Sequence, residues 1–194
     1  MVTVKVYLVF LALLAAERLV ELLLSRRNEA WARNRGGREF GGKHFGFMKL
    51  LHAIFLFSCA GEVLLLARPF HVALGLSMFL VVIFAQSLRY WSVFTLGPYW
   101  NVRVIVVPGA TPVTNGPYRY LRHPNYLAVI LEGFAIPLIH SAWMTALTFT
   151  VLNGVLLAVR IRCEERALSA HSAYDDQMGN LPRLFPTRGG LARR

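Results

Sequence analysis

An all-α integral membrane protein is the fold class this sequence predicts, and three observations predict it. Hydrophobic residues make up 56% of the 194 residues and charged residues only 16%, with a mean hydropathy of +0.48; ordinary soluble domains carry about 25% charged residues. The apolar residues fall into runs near the roughly 20 residues that span a bilayer as helix. Basic residues gather between those runs, the pattern expected beside membrane spans. One polytopic domain over residues 1–194 is expected. It would hold about five transmembrane helices and a C-terminal helical hairpin.

Val2 to Leu24 reads as the first span. Lys5 alone precedes its apolar run and Glu17-Arg18 comes after it, which suits a span better than a signal peptide. Glu17 and Glu21 share a face, and Arg18 can pair with Glu21 at i,i+3. The cluster reads either as a neutralised group near a membrane surface or as a functional intramembrane site. Ser25 to Gly46 reads as a polar loop broken by Gly36-Gly37 and Gly41-Gly42. Phe47 to Ala67 is the second span, with Lys49 and His52 towards one end and Glu62 towards the other. Arg68-Pro69-Phe70-His71 reverses the chain into the third span, Val72 to Phe94, which carries Gln86 and Arg89.

Thr95 to Arg122 contains Gly97-Pro98, Pro108-Gly109, Thr111-Pro112 and Gly116-Pro117, so no long helix fits there. Asn101 to Val107 suits an extended strand. Tyr126 to Ile139 gives about 21 Å of helix, short against a hydrocarbon core of about 30 Å. Pro137 and His140-Ser141 turn the chain, and Ala142 to Ile161 runs back at full length. Glu132, inside the short helix, reads as a carboxylate paired within the bundle. His171 and Tyr174-Asp175-Asp176 read as a solvated tail helix.

The charge distribution sets orientation and excludes one class of partner. A formal charge of +11 raises nucleic-acid binding as an option. However, six basic residues (Arg26, Arg27, Arg33, Arg35, Arg38 and Lys43) lie between the first two apolar runs, and seven more lie from Arg160 onward. Such clusters mark cytosolic segments and attract anionic headgroups. An outside N-terminus puts the 25–46 loop, the 95–122 segment and the tail in the cytosol, and no nucleic-acid partner is expected. Cys59 and Cys163 form no CxxC or Cys/His cluster, and His44, His52, His71 and His140 lack ligand spacing. Neither a disulfide framework nor a metal is expected.

The chemistry concentrates in Gly116-Pro117-Tyr118-Arg119-Tyr120-Leu121-Arg122-His123-Pro124-Asn125-Tyr126. Pro124 suits a first helical turn, whose unpaired N–H groups and positive dipole end can hold a carboxylate. A polar cap with interfacial tyrosine and arginine anchors accounts for the same residues equally well. Arg160 and Glu164 are i,i+4 at the end of the last span. They read either as an exposed ion pair or as a divided site, with Glu164 on a cofactor and Arg160 on an anionic substrate.

This block, with Arg160, Glu164-Glu165, Leu168, Tyr174, Pro182-Arg183 and Pro186 after it, resembles the isoprenylcysteine carboxyl methyltransferase family over roughly residues 86–186. The resemblance implies an integral-membrane O-methyltransferase core that uses S-adenosyl-L-methionine. Tyr118, His123, Pro124, Asn125 and Tyr126 would line the cofactor pocket, Ala110, Thr111, Pro112 and Val113 would do so through backbone, and Glu164 would close it. Arg160 would face the methyl acceptor. The segments Glu17-Arg18-Leu19-Val20-Glu21, Ser25 to Trp31 and Gly41-Gly42-Lys43-His44 resemble a bacterial branch accompanying type III polyketide synthases, which implies a long-chain alkylpyrone hydroxyl as acceptor.

A carboxylate or an acidic hydroxyl can arrive as an oxyanion, so alignment and exclusion of water become the protein's task. The lipid-like acceptor would enter from the bilayer and the cofactor from the cytosol. Three other readings are weighed: a membrane reductase using a nicotinamide dinucleotide, a phospholipid N-methyltransferase and a non-enzymatic membrane scaffold.

Overall fold

The computed structural model describes residues 1–185, apart from the side chains of Lys43 and His44. Pro186, the last residue of the block quoted above, lies outside the described residues. The order is α1 (Val2–Arg33), β1 (Arg38–Phe40), α2 (Gly42–Leu65), α3 (Val72–Leu96), β2 (Val104–Val106), α4 (Pro124–Leu138), α5 (Trp143–His171) and α6 (Tyr174–Met178). Single 3₁₀ turns at Gly97–Tyr99 and Gly116–Arg119 sit where Gly-Pro pairs interrupt the chain. The protein is mostly helical. Phe45–Leu65, Val72–Tyr99 and Trp143–His171 are long and apolar enough to cross a membrane, with mean hydropathies of 1.6, 1.9 and 1.7. The apolar helix Pro124–Leu138 is shorter, and α1 carries Glu17, Arg18 and Glu21 in its middle.

Two expectations change. The segment 25–46 is not a loop, because α1 continues to Arg33 and α2 already begins at Gly42. The helix is held there by side chains that a loop reading overlooks. Asn28 donates to the carbonyls of Gly97 (3.2 Å) and Trp100 (2.7 Å), the Ser25 hydroxyl donates to Asn101 (2.9 Å), and Arg33 closes an i,i+4 pair with Glu29 at 2.7 Å. The architecture also includes a small antiparallel sheet, pairing Arg38 with Val106, Glu39 with Ile105 and Phe40 with Val104.

Because lipid is as apolar as leucine, helices at membrane depth associate through close packing and polar contacts. Both occur here. Ala85, Ala128 and Ala135 are fully buried. A methyl group at Gly133 of α4 would collide with the Phe149 ring of α5, and one at Gly75 of α3 would meet Phe70 and the Ile139 carbonyl.

The polar contacts are stronger than the sequence suggested. Arg89 of α3 grips Glu21 of α1 with both ends of its fork, at 2.6 and 2.7 Å, and reaches Glu132 of α4 at 3.3 Å. Arg18 adds Glu21 at 2.7 Å and Glu132 at 3.5 Å. Glu17 accepts from Gln86 at 2.7 Å and from the Tyr90 hydroxyl. Two guanidiniums and three carboxylates thus tie three helices together. At the opposite end, Glu62 of α2 caps the start of α5, accepting from the Thr145 amide and hydroxyl at 2.7 Å each, while Arg68 balances it at 2.8 Å.

Gly133→Ala is expected to destabilise the α4–α5 contact by about 1–3 kcal/mol, the usual cost of overpacking. Gly154→Ala, which has open space around it, is expected to leave stability level or raise it by up to about 1 kcal/mol. Thermal unfolding in detergent checks both; equal melting temperatures for the two variants would contradict this packing.

Candidate functional site

The loop-rich end of the bundle surrounds one cavity of about 810 Å³. Its polar part is built by four segments. The 108–113 stretch is anchored when Gly109 donates to the His171 carbonyl at 2.9 Å, which sets Ala110, Thr111, Pro112 and Val113 in the wall. The 3₁₀ turn at Gly116–Arg119 fits against α3 because Gly116, at φ 54°, has no side chain to meet Trp91 and Thr95. That turn brings Tyr118 to the cavity. The first turn of α4 supplies Asn125 and Tyr126, and the last half of α5 supplies Arg160 and Glu164.

The geometry links these residues through one hydroxyl. Tyr126 accepts from Arg160 Nε at 2.7 Å and donates to the Glu164 carboxylate. Arg160 also donates from one terminal nitrogen to the Val102 carbonyl at 2.7 Å, so the strand region helps to aim it. Among the described residues its other terminal nitrogen makes no hydrogen bond, which leaves a donor for an anion. Arg160 is only 7% exposed; a guanidinium so deep needs partners, and Tyr126 and the Val102 carbonyl supply two of them.

A second carboxylate holds the frame. Glu165 accepts from Arg183 Nε at 3.0 Å and from its terminal nitrogen at 2.7 Å, from Arg122 at 3.2 Å, and lies 3.2 Å from His123 Nε2. The backbone follows the same join: Arg122 N–H donates to the Pro182 carbonyl at 2.9 Å and His123 N–H to the Arg183 carbonyl at 3.0 Å. The tail is thereby clamped beside α4. The tail helix is solvated on one face only: Asp175 and Asp176 are exposed, as the sequence suggested, while Tyr174 and Met178 are buried against Tyr118 and close the cavity. Its Tyr-x-x-x-Met spacing (i,i+4) puts both residues on one face, a signal hidden by the acidic pair between them. Burial, reinforced by the Glu164 charge, pushes the Tyr118 phenol well above its ordinary range, and burial does the same at Tyr174. Both remain protonated hydroxyls.

Of the residues singled out from sequence, Ala110, Thr111, Pro112, Val113, Tyr118, His123, Asn125, Tyr126, Arg160 and Glu164 all border this cavity. Pro124 does not. It is fully buried behind the wall, because a proline at the first helical position turns its ring into the packing, away from the helix mouth.

The cavity continues away from this polar end between α1 and α2, where Leu8, Leu11, Leu14, Phe55 and Leu56 line it. Along α4, Asn125, Val129, Glu132, Gly133 and Ile136 form its stripe, the 3–4 residue spacing of one helix face. The sequence led to the expectation of lipid entry from the bilayer but did not show which helices wall this arm, because they are distant in the chain. Among the described residues, no group of three or more His, Cys, Asp or Glu is placed to hold a metal ion.

Comparison with known proteins defines the class. The model of the isoprenylcysteine carboxyl methyltransferase (ICMT) family matches residues 75–170, which contain α4, most of α5 and the site block. The chain belongs to this family of methyltransferases. Among its relatives is the uncharacterized protein YpbQ of Bacillus subtilis (strain 168), 40% identical over 163 residues, or 84% of this chain and 96% of the relative. An uncharacterized protein of Haemophilus influenzae is 29% identical over 161 residues, covering 81% of this chain and 92% of its own. Family membership and the three apolar helices identify an integral membrane protein.

Glu165→Gln is expected to loosen the tail. Trypsin cleavage after Arg183 should accelerate by about five- to thirtyfold, the population change that 1–2 kcal/mol produces. Mass spectrometry of timed digests reads this directly, and an unchanged rate would show that Glu165 does not hold the clamp.

Proposed function

We propose that this chain is an S-adenosyl-L-methionine-dependent O-methyltransferase that acts on a carboxylate or an acidic hydroxyl of a lipid-like acceptor. The observation that carries the reading is the continuity of one cavity: a polar end beside Arg160, Tyr126 and Glu164 opens into an apolar arm between α1 and α2. A soluble cofactor and a lipid need such a divided space.

The residues present fit the cofactor. Asn125 Oδ1 and the Tyr174 hydroxyl are buried without a hydrogen-bond partner, and both residues border the cavity. Buried polar atoms are normally paired, so these two call for polar groups on a ligand. Glu164, Tyr118 and the 110–113 backbone would hold the cofactor beside them. When bound, S-adenosyl-L-methionine supplies a methyl group on a positively charged sulfur, ready for displacement.

The protein's own part is binding and alignment. Arg160 offers its remaining terminal N–H groups to an anionic oxygen. Tyr126 fixes Arg160 on one side and Glu164 on the other, so the two binding regions share one rigid element. Apolar walls from α1 and α2 exclude water and receive the lipid tail. A long-chain alkylpyrone suits both ends, with an acidic ring hydroxyl for Arg160 and a chain for the arm. Basic residues at the loop-rich end support a cytosolic active site with the N-terminus outside.

Calorimetry in detergent is expected to show binding of S-adenosylhomocysteine and none of a reduced nicotinamide dinucleotide; the reverse would favour a reductase. Arg160→Ala should weaken acceptor use more than cofactor binding, and Glu164→Ala the opposite. Tyr126→Phe should impair both, because its hydroxyl serves both neighbours. Tenfold losses, about 1.4 kcal/mol, are the expected scale for each hydrogen bond to a charged group. Identical profiles for Arg160→Ala and Glu164→Ala would contradict the division.

A further inference from the structure

We propose that Glu132 of α4 is a second binding station in the cavity, accepting a hydrogen bond from a hydroxyl carried part-way along the acceptor's chain. The inference rests on the methyl-transfer reading and narrows its acceptor class. Glu132 borders the cavity together with Arg18, Glu21 and Arg89. These charges interrupt a lining that is otherwise apolar, since Leu14, Ala15 and Leu22 of α1 and Ile136 of α4 border the cavity beside them. A plain hydrocarbon tail needs no carboxylate in its wall, and setting methylenes against one withholds the partners it requires.

The tie between helices leaves Glu132 incompletely held. Glu21 accepts three short bonds, two from Arg89 at 2.6 and 2.7 Å and one from Arg18 at 2.7 Å. Glu17 accepts from Gln86 at 2.7 Å and from the Tyr90 hydroxyl. Among the described residues Glu132 has only two partners, Arg89 at 3.3 Å and Arg18 at 3.5 Å, and no short bond. A carboxylate offers about four acceptor sites, and this one is only 7% exposed, so acceptor capacity remains where it borders the cavity. The cluster also sets three carboxylates against two guanidiniums; a donor suits that balance and a second anion does not. Glu132 stands six residues beyond Tyr126, about 9 Å along the helix axis, and shares a row with Asn125 two turns earlier. A lipid whose acidic oxygen meets Arg160 beside Tyr126 would bring the middle of its chain past Glu132. The head group proposed above is unchanged; the tail carries the second mark.

Calorimetry of the full chain in detergent, with and without S-adenosylhomocysteine, tests this against hexadecanoate and hexadecanoates bearing one hydroxyl at successive carbons. Affinity should peak where the hydroxyl stands about 9 Å from the carboxylate, about tenfold above plain hexadecanoate, the scale of one hydrogen bond to a charged group. Glu132→Gln keeps the side chain's size and removes its charge. In that variant the ratio of best hydroxylated to plain lipid should fall about fivefold, with S-adenosylhomocysteine binding as the check on folding. A wild-type series without a peak, including one in which no lipid binds, would leave the carboxylate to water alone and overturn the proposal. So would a peak that survives Glu132→Gln, or tighter binding of hexadecanedioate than of every hydroxylated lipid. Where the variant does not fold, the wild-type series decides. Failure of the wild-type chain to bind S-adenosylhomocysteine would instead overturn the methyltransferase reading, and the series without cofactor would still decide the role of Glu132.

Discussion

A guanidinium buried among helices must be met by carboxylates or leave the membrane, and Arg89 meets that requirement by drawing α1 and α4 onto α3. Its bidentate bond to Glu21 and its reach to Glu132 set those helices at one level. Breaking such a pair leaves a charge unmatched, typically at a cost of 3–5 kcal/mol. The cavity depends on this join, because α1 walls its apolar arm and α4 carries the stripe from Asn125 to Ile136. The charged cluster therefore holds the site open from below.

At the other end the same logic is repeated with a hydroxyl as intermediary. Arg160 is matched by Tyr126 and the Val102 carbonyl, and Tyr126 by Glu164. Glu165, one residue further on, turns away and clamps the tail through Arg183. Adjacent glutamates thus do separate work, one facing the cavity and one fastening its cover. This is the arrangement from which the proposed division between a soluble cofactor and a lipid acceptor arises: a short polar bridge between the polar end of the cavity and its apolar arm.

Much of this was legible in the sequence where local rules suffice. Apolar runs marked α2, α3 and α5, and Gly-Pro pairs marked the breaks on either side of β2. The i,i+3 pair Arg18–Glu21 formed as its spacing suggested. The site block and the α5 terminus, far apart in the chain, border one cavity. What escaped depends on distant partners. Helix α1 outlasts its apolar run because Ser25 and Asn28 bond to residues near position 100. Tyr174 read as surface because its cover, Tyr118, lies far away in the chain.

Ultraviolet cross-linking of S-adenosyl-L-methionine labelled on its methyl group, followed by peptide mapping, tests the central claim most directly. The account predicts label within residues 110–126 or on the Glu164–Met178 stretch, and competition by S-adenosylhomocysteine. Specific label confined to the α1–α2 arm, or none that S-adenosylhomocysteine displaces, would contradict it.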